Sequence, residues 1–229
     1  MGREVPAVLL LIVGGALLRI TVGGSYLNYV RESSRPYLLA TAGVLLLLGL
    51  LALVDVLRNR SRDVHAPRSA WLLLLPVLAV FLIAPGPLGA YSAARETSMV
   101  AAPPAGRPGP PPLPAGDPVA IGLDEYAIRA VWDDGSTLRG RDVQLVGFVT
   151  PDPAGGWILT RMSVSCCAAD AVPTKVKPVG GSVPDLPANT WVQLTGSYVP
   201  GGGTQSTSAV PWVQAADVQQ IPVPANPYL

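Results

Sequence analysis

An apolar run of about 20 residues leaves a chain few options, because a helix of that length matches the roughly 30 Å hydrocarbon core of a bilayer. This sequence opens with three such runs: "VPAVLLLIVGGALLRITVGG" at 5–24, "YLLATAGVLLLLGLLALVDVL" at 37–57, and a third at 70–90 that begins "AWLLLLPVLAVFLIAPG". Buried helices of soluble proteins seldom run so long without a polar interruption, so the region 1–91 reads as three transmembrane helices. A cleavable signal peptide accounts poorly for the first run, since Arg19 breaks its apolar core and no clean cleavage site follows. The charge economy agrees. Only 14% of the 229 residues are charged, about half the share of an ordinary soluble domain.

The arginines orient the spans. The second connection, "RNRSRDVHAPR", carries Arg58, Arg60, Arg62 and Arg68, whereas the first, "NYVRESSRP", has Arg31 and Arg35 beside Glu32. The positive-inside rule puts the richer loop and the N-terminus in the cytoplasm and everything after residue 91 outside. The expected location is therefore the cytoplasmic membrane, multi-pass, with an extracytoplasmic C-terminal half. Arg19 is an intramembrane charge. At 1.5 Å per residue it lies about 21 Å into the first span, where it either snorkels to the outer interface or faces a partner in the bundle.

Past the third run the composition changes. The stretch 92–118, with "AAPPAGRPGPPPLPAGDP" at its heart, favours polyproline II and reads as a semi-rigid linker. From 119 onward, "LDEYAIRAVWDD" has helical spacing with Asp124 and Glu125 suited to a helix start. Five short segments follow at 142–150, 156–166, 173–180, 190–199 and 211–221, separated by turn punctuation such as "PDPAGG" and "PGGGTQ". One short helix and five strands in about 110 residues predict a small all-β domain over 119–229, an OB-like five-stranded barrel; a small sandwich is the alternative.

OB-like barrels often bind nucleic acid, which requires a basic groove. From residue 120 onward the chain has six basic residues against nine acidic ones, so nucleic acid is an unsuitable partner. Trp157, Trp191 and Trp212 either line a ligand face or serve as core residues. Catalysis has little to work with. His65 is the only histidine, on the opposite side of the expected membrane from the domain, and neither a phosphate-cradling loop nor a dinucleotide fingerprint is present. The chain reads as non-enzymatic.

The remaining chemical feature is "RMSVSCCAADAVP" at 161–173, which holds both cysteines, Cys166 and Cys167, with Asp170 three positions on. A bond between neighbours closes a tiny ring and constrains almost no chain entropy, so it cannot staple a fold. Three readings stay open. The two thiols with Asp170 form part of a metal shell, for which a soft ion such as monovalent copper needs fewer ligands than a closed zinc site. Alternatively, they form a strained and readily reduced disulfide in an oxidising compartment. Or they are small residues at a strand end, one pointing in and one out. Lipid attachment fits poorly, because the pair lies far from any membrane-flanking position.

The order of these parts, together with "LLLLPVLAVFLIAPGPLGAYSA", "LRGRDVQLVGFVT", "RMSVSCCAADAVP", "NTWVQLTGSYV" and the terminal "NPYL", resembles the YcgQ-like family of permease subunits. The resemblance spans nearly the whole chain, and Cys166, Cys167, Ala169 and Asp170 are its most specific element. It implies the smaller, accessory subunit of a two-component membrane permease, whose partner is a larger polytopic permease-like membrane protein. Relatives often carry a histidine-rich loop between the second and third spans; here that loop keeps only His65. The other function class is an independent membrane-anchored thiol protein, a redox factor or soft-metal chaperone.

Overall fold

The computed structural model of the chain describes residues 4–58, 72, 75, 78–79, 86–104, 106, 110–181 and 183–229. It divides into two compact units, Met1–Pro87 and Leu88–Leu229. Most of the expected third span, with Arg60, Arg62, His65 and Arg68, lies outside the described residues.

In the first unit, helix α1 (Glu4–Val22) and helix α2 (Arg35–Arg58) pack side by side. Both are long and apolar enough to cross a membrane. Gly24 ends the first helical stretch, adopting φ 81°, a left-handed conformation that glycine takes without a Cβ penalty. The contact line between the helices is built from small residues. A Cβ added at Gly49 would sit 2.9 Å from Leu11 Cγ, and one added at Gly14 would sit 3.0 Å from Leu46 Cγ. Leucines of one helix therefore fill glycine notches in the other, the close approach that favours helix pairing where no hydrophobic driving force acts between helices. On α2 the buried positions are Ala42 and Gly49, while Val44, Leu47, Leu48, Leu50, Leu51 and Leu57 are exposed. Large apolar side chains outward and small ones inward is the reverse of a water-soluble hairpin.

The second unit is a six-stranded sheet with helices against it. Its elements are α3 (Ala90–Arg95), β1 (Val119–Ala120), α4 (Leu123–Trp132), β2 (Asp142–Pro151), β3 (Trp157–Ser163), β4 (Val172–Val179), β5 (Trp191–Val199) and β6 (Trp212–Gln220). The helix and all five long strands fall where the periodicity predicts them. β2 pairs antiparallel with β3, β3 with β4, and β5 with β6; β4 runs parallel to β6, and β5 returns antiparallel to β2 over Asp142–Phe148. The pairings thus come back to their starting strand, and each long strand has a neighbour on both sides.

Side-chain alternation then sorts two cores. Val143, Leu145, Val149, Leu159, Val192 and Leu194 point into the main cluster, joined by Leu123, Tyr126 and Ala130 of α4. Tyr126 also donates its buried hydroxyl to the Trp212 carbonyl, tying α4 to β6. On the opposite face, Phe148, Met162 and Trp191 are covered by Ala90 and Ala93 of α3 and by Tyr228 of the terminal segment. The Asn189 side chain caps α3 by accepting the Ala90 N–H, and Leu229 N–H donates to the Met162 carbonyl. Residues 147–150 of β2 are therefore buried on both faces.

Parts of the stretch expected as a linker are tied into the second unit. Val100 is buried and its N–H donates to Thr207, Met99 N–H donates to Pro173, and Lys175 Nζ reaches the Glu96 carbonyl. Arg129, fully buried in α4, pairs with Glu125 at 2.6 Å and donates to the Pro111 carbonyl at 2.8 Å; Arg141 holds the Pro114 and Gly116 carbonyls. The physical reason is that prolines leave carbonyls with no intrasegment donor, and buried or half-buried arginines supply one. These contacts belong to the compact unit Leu88–Leu229.

At Gly147 β3 leaves no room for a side chain, since a Cβ there would meet the Thr160 carbonyl oxygen at 2.7 Å. Gly147→Val is expected to cost at least the roughly 1–3 kcal/mol of an overpacked core. A melting temperature equal to that of the parent chain would contradict this packing.

Candidate functional site

The thiol loop is the hairpin connection between β3 and β4, whose ladder closes at Ser163 opposite Val172. Within it, residues 168–170 form a single 3-10 turn capped at Cys167. The C-x-x-D spacing is the local cause. It places a carboxylate three residues after the cap, the geometry of a capping box with cysteine where serine or threonine usually stands.

Asp170 organises the whole loop. Its Oδ1 accepts the Ser165 N–H at 2.7 Å, and its Oδ2 accepts the N–H groups of Cys166 at 2.9 Å and Cys167 at 3.3 Å. In return the Asp170 N–H donates to the Cys167 carbonyl at 3.0 Å. Three consecutive amides thus converge on one carboxylate. The Cys166 thiol sits against the same group and, with these backbone donors, holds the Asp170 carboxyl down at about 2. The reciprocal effect falls on the thiol. Its hydrogen bond to Asp170, then the one to Cys167, pushes Cys166 up to about 12. Cys166 is consequently a protonated thiol at neutral pH and a slow nucleophile.

The two sulfurs are unbonded and lie 3.6 Å apart, Cys166 exposed and Cys167 half-buried. With a carboxylate oxygen of Asp170 they form a group whose ligand atoms all lie within 4.8 Å of one another. Among the described residues this is the one group of three or more such side chains close enough to hold a cation. The structure therefore brings Cys166, Cys167 and Asp170 together as the spacing anticipates.

The other expected site residues lie elsewhere. Trp157 and Trp191 are 4% and 7% exposed and belong to the two separate cores. Trp157 donates to the Pro184 carbonyl, and Trp191 packs edge-on against Phe148. Only Trp212 shows its ring, which lies over Gly201 in the β5–β6 connection. The three tryptophans share no ligand face. Arg19 is exposed in the last turn of α1. Sequence reasoning also passed over Ser165, the third amide of the Asp170 clamp. The capping-box spacing was the available signal, because a carboxylate that reaches back to its cap also reaches the residues just before it.

The domain is thus of a type defined by a closed series of strand pairings with a solvent-facing dithiol on one hairpin, joined to an apolar helix pair. Residues 126–229 match the DUF1980 C-terminal domain. That match runs from within α4 to the last residue, includes the whole thiol loop, and agrees with the YcgQ-like resemblance. No curated protein and no solved structure matches the chain.

Two outcomes test the clamp. Asp170's folded value lies below its ordinary one, so the clamp is fully formed above the usual carboxylate range and is lost as pH falls toward about 2. Amide chemical shifts of Ser165, Cys166 and Cys167 should titrate together near that value, and a common midpoint near 4 would contradict it. Separately, iodoacetamide should alkylate Cys166 at pH 8 at least about tenfold more slowly than free cysteine, and Asp170→Asn should relieve the block. Equal rates in parent and variant would rule out Asp170 as the cause.

Proposed function

We propose that this chain is a membrane-anchored, non-enzymatic accessory subunit of a two-component permease, presenting an OB-like extracytoplasmic barrel to a larger polytopic partner or to its solute. The observation that carries the reading is the division of labour between the two units. One is a helix pair with large apolar residues outward, suited to lipid and to a partner's helices. The other is a folded domain whose one dithiol faces solvent. The ring of strand pairings, with its single parallel step between β4 and β6, supports the OB-like description. The family resemblance supplies the partner.

A second reading is favoured by the same thiols: an independent soft-metal chaperone. A thiol redox protein is the other form of that reading, since metal ligation and thiol-disulfide exchange both need a thiolate and the held Cys166 thiol slows each alike.

Purification of the tagged full-length protein from its native membrane in a gentle detergent tests the assignment. A polytopic protein is expected at comparable stoichiometry, and residues 88–229 alone are expected not to retain it. Full retention by residues 88–229 would overturn the docking role of the helices. A solitary full-length protein would overturn the subunit reading and leave the chaperone.

A further inference from the structure

We propose that Cys166, Cys167 and Asp170 form an open, three-ligand site for a tetrahedral divalent cation of the zinc class, with the fourth corner left for an exchangeable ligand.

The first argument is the sulfur spacing. With metal–sulfur bonds of about 2.3 Å, two corners of a tetrahedron lie about 3.7 Å apart, whereas two sulfurs on opposite sides of an ion lie about 4.6 Å apart. The observed 3.6 Å matches the tetrahedral edge and is about 1 Å too short for linear coordination. The small number of ligands would suit a linear monovalent soft ion, and it is that linear arrangement which the sulfur spacing fits poorly.

The second argument is the lone-pair count at Asp170. An ionised carboxylate offers about four acceptor sites. Three are taken by the amides of Ser165, Cys166 and Cys167; the fourth faces the Cys166 thiol, whose proton leaves when the metal binds, and a carboxylate oxygen lies within 4.8 Å of both sulfurs. The same amides fix the carboxylate and the two cysteines in one rigid turn, so little ordering is left to be done when the cation arrives. A ligating carboxylate held by further hydrogen bonds is the usual second layer of a metal site.

The third argument concerns the empty corner. Among the described residues no fourth histidine, cysteine or carboxylate joins the group, and Cys166 is exposed. Structural zinc sites are closed by four protein ligands, while sites that exchange a ligand keep one position open. On binding, the two thiol protons pass to solvent and two metal–thiolate bonds form, with no change in oxidation state. Delivery of the cation to a permease rests on the preceding reading; its binding here does not, and the two fail separately.

The test uses the reduced full-length protein in detergent, carrying a tag without histidine, titrated with Co(II) and then Zn(II). One Co(II) per chain is expected, with thiolate-to-metal charge-transfer absorption and the intense visible bands of a tetrahedral centre, both removed by one equivalent of Zn(II). Cys166→Ser with Cys167→Ser should abolish the charge-transfer bands while leaving the far-ultraviolet circular dichroism unchanged. Asp170→Asn should weaken Zn(II) binding by about 10–100-fold. Absence of charge-transfer bands in the parent would overturn the site. So would a spectrum of weak octahedral bands, or stoichiometric Cu(I) binding that Zn(II) neither shares nor displaces. If Asp170→Asn binds Zn(II) as the parent does, the three-ligand assignment is overturned even where the thiolates hold the ion.

Discussion

β2 is the strand on which the C-terminal domain depends. It carries β5 along its first seven residues, β3 along its last four, and β1 on the stretch that β3 leaves uncovered. A strand with partners on both edges leaves little backbone to offer another chain, which lessens the usual hazard of a small sheet. Its second half is also buried on both faces, with the main core beneath it and α3 and Tyr228 above. Every other element is placed by reference to it. The hairpin bearing the cysteines is one step round the ring, so its position is inherited from the β2–β3 ladder.

Most of this was legible because short strands with alternating polarity and sharp turn residues report their own boundaries. "DVQLVGFVT" and "TWVQLTGSYV" are strands almost residue for residue as they read. What stayed hidden was long-range. Several of the apolar residues in 88–100 are alanines, too small to announce a core element, yet Ala90 and Ala93 cover the outer face of β2 and β3, and Val100 packs against Ala127, Val131 and Ala209. The proline-rich segment misleads for a related reason. Its composition sets its local conformation as extended, but the partners of its carbonyls, Arg129 and Arg141, lie far along the chain and leave no local trace.

The site shows the same split between local and distant. Cys166, Cys167 and Asp170 are within one turn of each other, so their association followed from spacing alone. That one carboxylate would gather three amides is a property of the turn's backbone, visible only once the loop is closed by the β3–β4 ladder. The tryptophans are the converse case. Large aromatic side chains in small β domains are consumed by the core before they are available to a ligand, and Trp157 and Trp191 follow that rule.

Adjacency of the two cysteines has a thermodynamic corollary. Most metal sites gather ligands from distant parts of a chain, so the ion binds the folded state far better than the unfolded one and acts as a staple. Here the two sulfurs are separated by a single peptide unit, and an unfolded chain keeps them nearly as close. A species that grips both therefore closes almost no loop, and any preference it has for the folded chain comes from the turn that Asp170 holds rather than from cross-linking distant segments. The stability of the domain therefore rests on its two cores and its strand pairings, and not on what the thiols hold.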